Sequence, residues 1–157
     1  MIPALIALLL VTFGAAALGA AGSMAAPDFY AALDQPSWAP PSSVFGPVWT
    51  MLYTLMAVAT WIVVRQLGWP RARPLVGLYL AQLAVNALWS WLFFRWQLGA
   101  VAFAEIVLLW LMVAVLLQRY WRVKRLAGLL LVPYLAWVTF AGVLCYTLWQ
   151  RNPALLQ

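Results

Sequence analysis

An all-α bundle of five membrane-spanning helices is the fold this sequence predicts, and three observations predict it. Apolar residues make up 68% of the 157-residue chain and charged residues 8%, against roughly 45–50% and about 25% in soluble domains. Uncharged stretches fall at 1–27, 35–64, 74–94 and 126–150, and 96–118 is interrupted only by Glu105; each reaches the ~20 residues that cross about 30 Å of hydrocarbon. None alternates as a barrel strand does, so in lipid the backbone must satisfy itself within helices. The expected spans are approximately 3–24, 43–65, 75–95, 98–118 and 127–149, and the bundle they form is one domain, 1–157.

The first span ends in small residues, "AAALGAAGS", which resemble signal-peptidase territory, but Met1 to Leu10 carries no Lys or Arg. A secretory signal opens with a positive region, so the run is read as a retained helix. Gly19 and Ser23, four apart, leave room for a neighbouring helix. The second span follows "SWAPPSSVFGPVWT" (37–50). Pro40 and Pro41 favour an extended entry, Ser42 or Ser43 is the candidate cap, and Pro47 falls in the first turns. Trp38 and Trp49 suit an interfacial aromatic belt. Trp49 and Tyr53 are four apart and also share a face reaching below the loop.

In the third span, "YLAQLAVNALWSWLFF" (79–94), Tyr79, Gln82, Asn86, Trp89 or Ser90, and Phe93 recur every three or four residues. Gln82 and Asn86 are unfavourable against lipid, so the stripe points inward, either to bond another helix or to face a ligand. Gly77 and Ala81 form a small strip suited to close packing. The fourth span contains Glu105, about 10 Å along its helix at 1.5 Å per residue. A lone carboxyl there must turn inward, pair, meet water or become protonated; a hydrogen-bonded structural role is the expectation. In the fifth span Pro133 offers a kink, and Tyr134, Trp137 or Val138, Ala141, and Cys145 or Leu144 approximate one face. Small Ala141 and Gly142 beside large rings leave space for a flat, largely apolar ligand, with Asn86 or Gln82 to orient a polar edge.

Charge sets orientation. Arg65, Arg71, Arg73, Arg119, Arg122, Lys124 and Arg125 flank one end of the spans and only Arg95 and Arg151 the other, while the first connection carries Asp28 and Asp34. The positive-inside rule then gives an N-in, C-out topology. A net charge of +6 with no sizeable soluble part argues for contact with anionic membrane lipid and against nucleic acid. With Cys145 as the one cysteine and no histidine, neither an intramolecular disulfide nor a metal site is expected.

Separated pieces of the chain, "PSWAPP" with "VFGPVWTMLY", then "YLAQLAVNALWSWLFF" and "VPYLAWVTFAGVL", resemble the TspO/MBR family, the tryptophan-rich sensory proteins related to the mitochondrial translocator protein. The resemblance implies five transmembrane helices in a homodimer and binding of porphyrins, protoporphyrin IX among them. Through the animal relatives it extends to sterols and isoquinoline-type drugs. It places Trp38, Trp49, Tyr53, Asn86, Trp89 and Trp137 at a ligand pocket, with Ala141 making space. It also makes Trp137 a candidate electron donor in light-dependent porphyrin breakdown. Two departures stand out. Ser43 replaces a tryptophan common in bacterial relatives, and Cys145 follows Leu144 where the family commonly has asparagine. "LCYTLWQR" fits a permissive sterol pattern at Leu144, Tyr146 and Arg151.

The resulting expectation is a tetrapyrrole-binding sensor or regulatory receptor in a bacterial membrane that requires no cofactor. A photo-oxidative enzyme using Trp137 is the alternative, although no serine, histidine or metal constellation independently predicts catalysis. A tetrapyrrole or sterol transporter is disfavoured by the absence of an inverted repeat or ion-coupling pair.

Overall fold

A computed structural model describes residues 2–157, and five of its helical segments are long and apolar enough to cross a membrane. The protein is a multi-pass, all-α membrane protein. Helix α1 (Ile2–Gly22) leads into a short α2 (Ala26–Ala32) within the first connection, and a tight 3-10 turn at Ser42–Val44 opens α3 (Phe45–Leu67). Next come α4 (Trp69–Ser90), continued by a π-helical turn at Trp91–Arg95, and α5 (Gly99–Val123). A one-turn α6 (Arg125–Leu129) precedes α7 (Val132–Arg151).

The ends of the spans differ from expectation for identifiable reasons. The third begins at Trp69 rather than near 75, because Pro70 lies in the first helical turn, where its missing N–H has no helical partner to lose. The fourth continues past 118 to Val123, carrying Arg119 and Arg122 on helical backbone; their long stems let charged heads reach the interface while the backbone stays helical. The expected fifth helix is split. Residues Leu130 and Leu131 separate α6 from α7, and Pro133 sits at the start of the second piece instead of kinking a continuous rod. Neither Ser42 nor Ser43 caps α3; the 3-10 turn lies where a cap was expected, and no side-chain cap bond forms.

Gly68 alone joins α3 to α4, at φ 72°, a conformation open to glycine and strained for other residues. At the opposite end α1 lies against α4. A Cβ on Gly19 would meet Ala87 Cα at 3.5 Å, and one on Gly22 would meet the Trp91 indole at 2.8 Å. Gly77 is exposed with nothing near it, so the Gly77 and Ala81 strip faces outward.

The half of the bundle toward Gly68 is filled. Met56, Val63, Val113 and Leu116 are fully buried there. Two phenols stitch the helices together: Tyr79 of α4 hydrogen-bonds Thr12 of α1, and the Tyr120 hydroxyl of α5 lies 2.9 Å from Thr60 of α3. Each threonine donates to its own helix, Thr12 to the Leu8 carbonyl and Thr60 to that of Met56. Their oxygens are thereby left to accept from the phenols.

Candidate functional site

The other half of the bundle is hollow. A cavity of about 400 Å³, within the range of about 300–1,000 Å³ typical of small-molecule sites, lies among α1, α3, α4, α5 and α7 beneath the first connection. Its construction starts on α3, where Phe45, Trp49 and Tyr53 recur at four-residue steps and all line it. Trp49 stacks on Tyr53 at 5.4 Å between centroids and meets Tyr134 edge-on at 6.2 Å. From α4, Asn86 and Trp89 line it, Trp89 stacking on Phe93 at 5.0 Å. The π-helical turn presents consecutive residues, Phe93 and Phe94, to the same space. Helix α7 supplies Trp137, Val138, Ala141 and Cys145, and the Trp137 ring meets Phe45 at 5.9 Å.

Asn86 has more than one partner. Tyr53 donates to its Oδ1 at 2.7 Å, and its Nδ2 donates to the Tyr134 hydroxyl at 2.9 Å. Tyr134 donates in turn to Gln82 Oε1 at 2.7 Å, and Gln82 Nε2 reaches Met56 Sδ at 3.7 Å. The two readings of the polar stripe are thus divided between its members: Gln82, fully buried and away from the cavity, ties helices together, while Asn86 does so and also lines the hollow. An amide offers two donors and two acceptor lone pairs, so Asn86 keeps capacity for one more bond of each kind. Trp137 Nε1 is buried without a hydrogen-bond partner.

Among the described residues, no charged side chain lines the cavity. Among its exposed lining residues, Phe13 and Ala20 of α1 and Gly46 and Thr50 of α3 place an opening between α1 and the start of α3. The roof comes from Pro27, Tyr30 and Ser42 of the first connection. Burial pushes the Tyr30 phenol above its ordinary pKa; its hydroxyl donates to the Pro40 carbonyl at 3.0 Å, and its ring packs on Phe45.

Six of the pocket residues expected from sequence meet here: Trp49, Tyr53, Asn86, Trp89, Trp137 and Ala141. Trp38 is not among the lining residues. It is 46% exposed and sits edge-on to Phe140, whose ring lies 5.4 Å from that of Trp137. The turn at Pro36–Ala39 carries Trp38 to Phe140 on α7, which in turn meets Trp137 of the cavity wall. The sterol pattern does not form one surface. Leu144 lines the cavity, Tyr146 is exposed beside Phe103, and Arg151 pairs with Asp34 at 3.0 Å. The hydrogen-bonded role expected of Glu105 is not realised either: both carboxyl oxygens are buried without a partner. The Tyr134 hydroxyl of α7 gives its proton to Gln82 and accepts from Asn86, so it donates nothing to Glu105.

Sequence reasoning missed Tyr30, Phe45 and Phe13. The four-residue step from Phe45 to Trp49 would have revealed the second, whereas nothing in the local sequence folds Tyr30 back over the bundle.

The TspO/MBR family model matches residues 5–150. The chain belongs to the TspO/MBR family. Among curated relatives of this TspO/MBR protein, the tryptophan-rich protein TspO of Chlorobaculum tepidum is 41% identical over 143 residues, 87% of this chain and 90% of that protein. The tryptophan-rich sensory protein of Cereibacter sphaeroides is 38% identical, covering 92% and 91%. The human translocator protein is 38% identical over 79% of this chain and 75% of its own length. The cavity of this TspO/MBR chain therefore lies wholly inside the segment that the family shares.

Proposed function

We propose that the protein is a tetrapyrrole-binding sensor or receptor of a bacterial membrane, with protoporphyrin IX as a ligand of the cavity. The observation that carries this reading is the convergence of Trp49, Tyr53, Asn86, Trp89 and Trp137 on one hollow. A flat conjugated ring gains stacking area against indoles and surrenders little conformational freedom on binding. Asn86, already fixed by Tyr53 and Tyr134, orients a polar edge without reorganising. Because no charge lines the interior, ionised propionates belong at the opening between α1 and α3. The outward Gly77 and Ala81 strip favours a homodimer, and the basic residues near Gly68 and α6 favour N-in, C-out insertion.

The test is titration of protoporphyrin IX in nanodiscs, with partitioning into empty nanodiscs measured separately. Saturable binding should disappear when Trp49, Asn86 and Trp137 are changed together; saturation indifferent to all three would remove the site. Light-dependent breakdown is the second reading, favoured by the Trp137 indole forming part of the cavity wall. It predicts stoichiometric turnover under illumination that is lost in Trp137→Phe, beyond the products of the free dye.

A further inference from the structure

The cavity roof is fastened from 118 residues away. Asn152, the first residue beyond α7 and only 7% exposed, grips the backbone of Asp34 at two points. Its Oδ1 accepts from the Asp34 N–H at 2.8 Å, and its Nδ2 donates to the Asp34 carbonyl at 3.2 Å and to that of Leu148 at 2.9 Å. The side-chain amide thus pairs with both backbone groups of one residue, as a neighbouring strand would. Around it the connection closes on itself, since Tyr30 bonds the Pro40 carbonyl and Gln35 Nε2 bonds the Tyr30 carbonyl. Asn152 is itself held by the tail behind it: Leu156 is fully buried, and the Gln157 N–H bonds the Gln97 carbonyl at 3.1 Å.

We infer that the Asn152 clasp on Asp34 is the catch of a lid, and that its release sets the rate at which water-borne molecules reach the cavity. Three observations support a gate over a mere loop anchor. Tyr30, four residues before the clasped position, is itself a roof residue. Its ring bears on Phe45, and Phe45 bears on Trp137, so lifting Asp34 frees the first ring of a row that ends at the cavity wall. The neighbouring Arg151 to Asp34 ion pair is solvent-exposed, its side chains 42% and 63% accessible, and such pairs contribute little. The buried amide therefore holds the lid and the ion pair does not. Asn152 is a positioning residue, acting on the cavity only through the connection it holds.

The inference deepens the binding reading above, and it has a readout that needs no tetrapyrrole. Cys145 is the single cysteine of the chain, is buried, and lines the cavity. The rate at which a charged, water-soluble methanethiosulfonate modifies it in nanodiscs reports how often the lid opens. A cavity that binds no porphyrin leaves this measurement intact. Asn152→Ala should speed modification about tenfold through loss of two part-buried hydrogen bonds to the lid. Asn152→Asp keeps the acceptor for the Asp34 N–H but turns a carboxylate oxygen toward the Asp34 and Leu148 carbonyls that the amide donates to, so it should speed modification at least as much. Asp34→Asn, which leaves the backbone clasp in place, should stay within about twofold of the parent. Circular dichroism and thermal unfolding establish that each variant is folded, and Asn152→Asp decides the matter if Asn152→Ala is not. Folded Asn152 variants modified at the parent rate overturn the proposal, because entry then runs between α1 and α3. Acceleration by Asp34→Asn equal to that of the Asn152 variants overturns it as well, because the ion pair would then be the catch.

Discussion

The two halves of this bundle are built from the same kinds of residue and end up in opposite states. Toward Gly68, phenols meet threonines: Tyr79 and Tyr120 are satisfied by Thr12 and Thr60, whose own protons go to their helix backbones. Aliphatic side chains fill the space between. Toward the first connection, phenols meet a carboxamide. Tyr53 donates to Asn86, which donates to Tyr134 and retains a donor and an acceptor, while Tyr134 gives its own proton to Gln82. Rings there brace one another around small residues, Ala16, Gly19, Gly46 and Ala141. The difference teaches that aromatic content does not make a binding site. A site arises where rings hold each other apart and the polar group between them keeps bonding capacity in reserve.

The largest way to sharpen that contrast is in the filled half. Leu116→Ala removes a side chain with no exposed surface and should lower stability by about 2–5 kcal/mol, while the folded fraction keeps its ligand affinity. Denaturation in detergent with a parallel porphyrin titration checks both. A variant that unfolds as the parent does would mean the filled half is loosely packed and the contrast false. The middle case joins the halves. Asn86→Leu deprives Tyr53 of its acceptor and Tyr134 of a donor, for an expected loss of about 1–3 kcal/mol in stability, accompanied by weaker binding. Tyr120→Phe is smaller, at about 0.5–1.5 kcal/mol, because Thr60 still bonds the Met56 carbonyl; its binding curve should superimpose on that of the parent.

How much of this could be read in advance follows the same division. The spans were legible because lipid allows uncharged runs few alternatives to helix. Their ends were not, since Arg119 and Arg122 remain helical at the interface and Pro70 and Pro133 were absorbed at helix starts. The inner wall was legible wherever its residues repeat along a single helix, as Trp49 and Tyr53 do on α3 or Trp137 and Ala141 on α7. The roof was not. Tyr30 sits over the cavity because Asn152 holds Asp34, a contact with no local signature. Trp38, placed at the pocket by resemblance, is carried outside by its own turn. Glu105 departs from the rule that buried carboxyls find partners: both its oxygens are unbonded, and the Tyr134 proton is committed to Gln82.

The smallest expected effect tests whether the two ends of the bundle differ in electrostatics as well as in packing. Asp34 and Arg151 form an ion pair between two accessible side chains, where solvent and salt screen the attraction and fixing two side chains offsets much of the gain. Asp34→Asn should therefore change stability by about 0–1 kcal/mol, and the difference from the parent should shrink as ionic strength rises. The comparison is informative because both proteins keep the Asn152 bonds to the residue 34 backbone, so whatever separates them is the side-chain charge. Unfolding of the two proteins at low and high salt measures it. A difference well above that range and insensitive to salt would mean the pair is effectively shielded from water. The lid end would then be closed by a desolvated charge, and its openness would have to be ascribed to the gap between α1 and α3 alone.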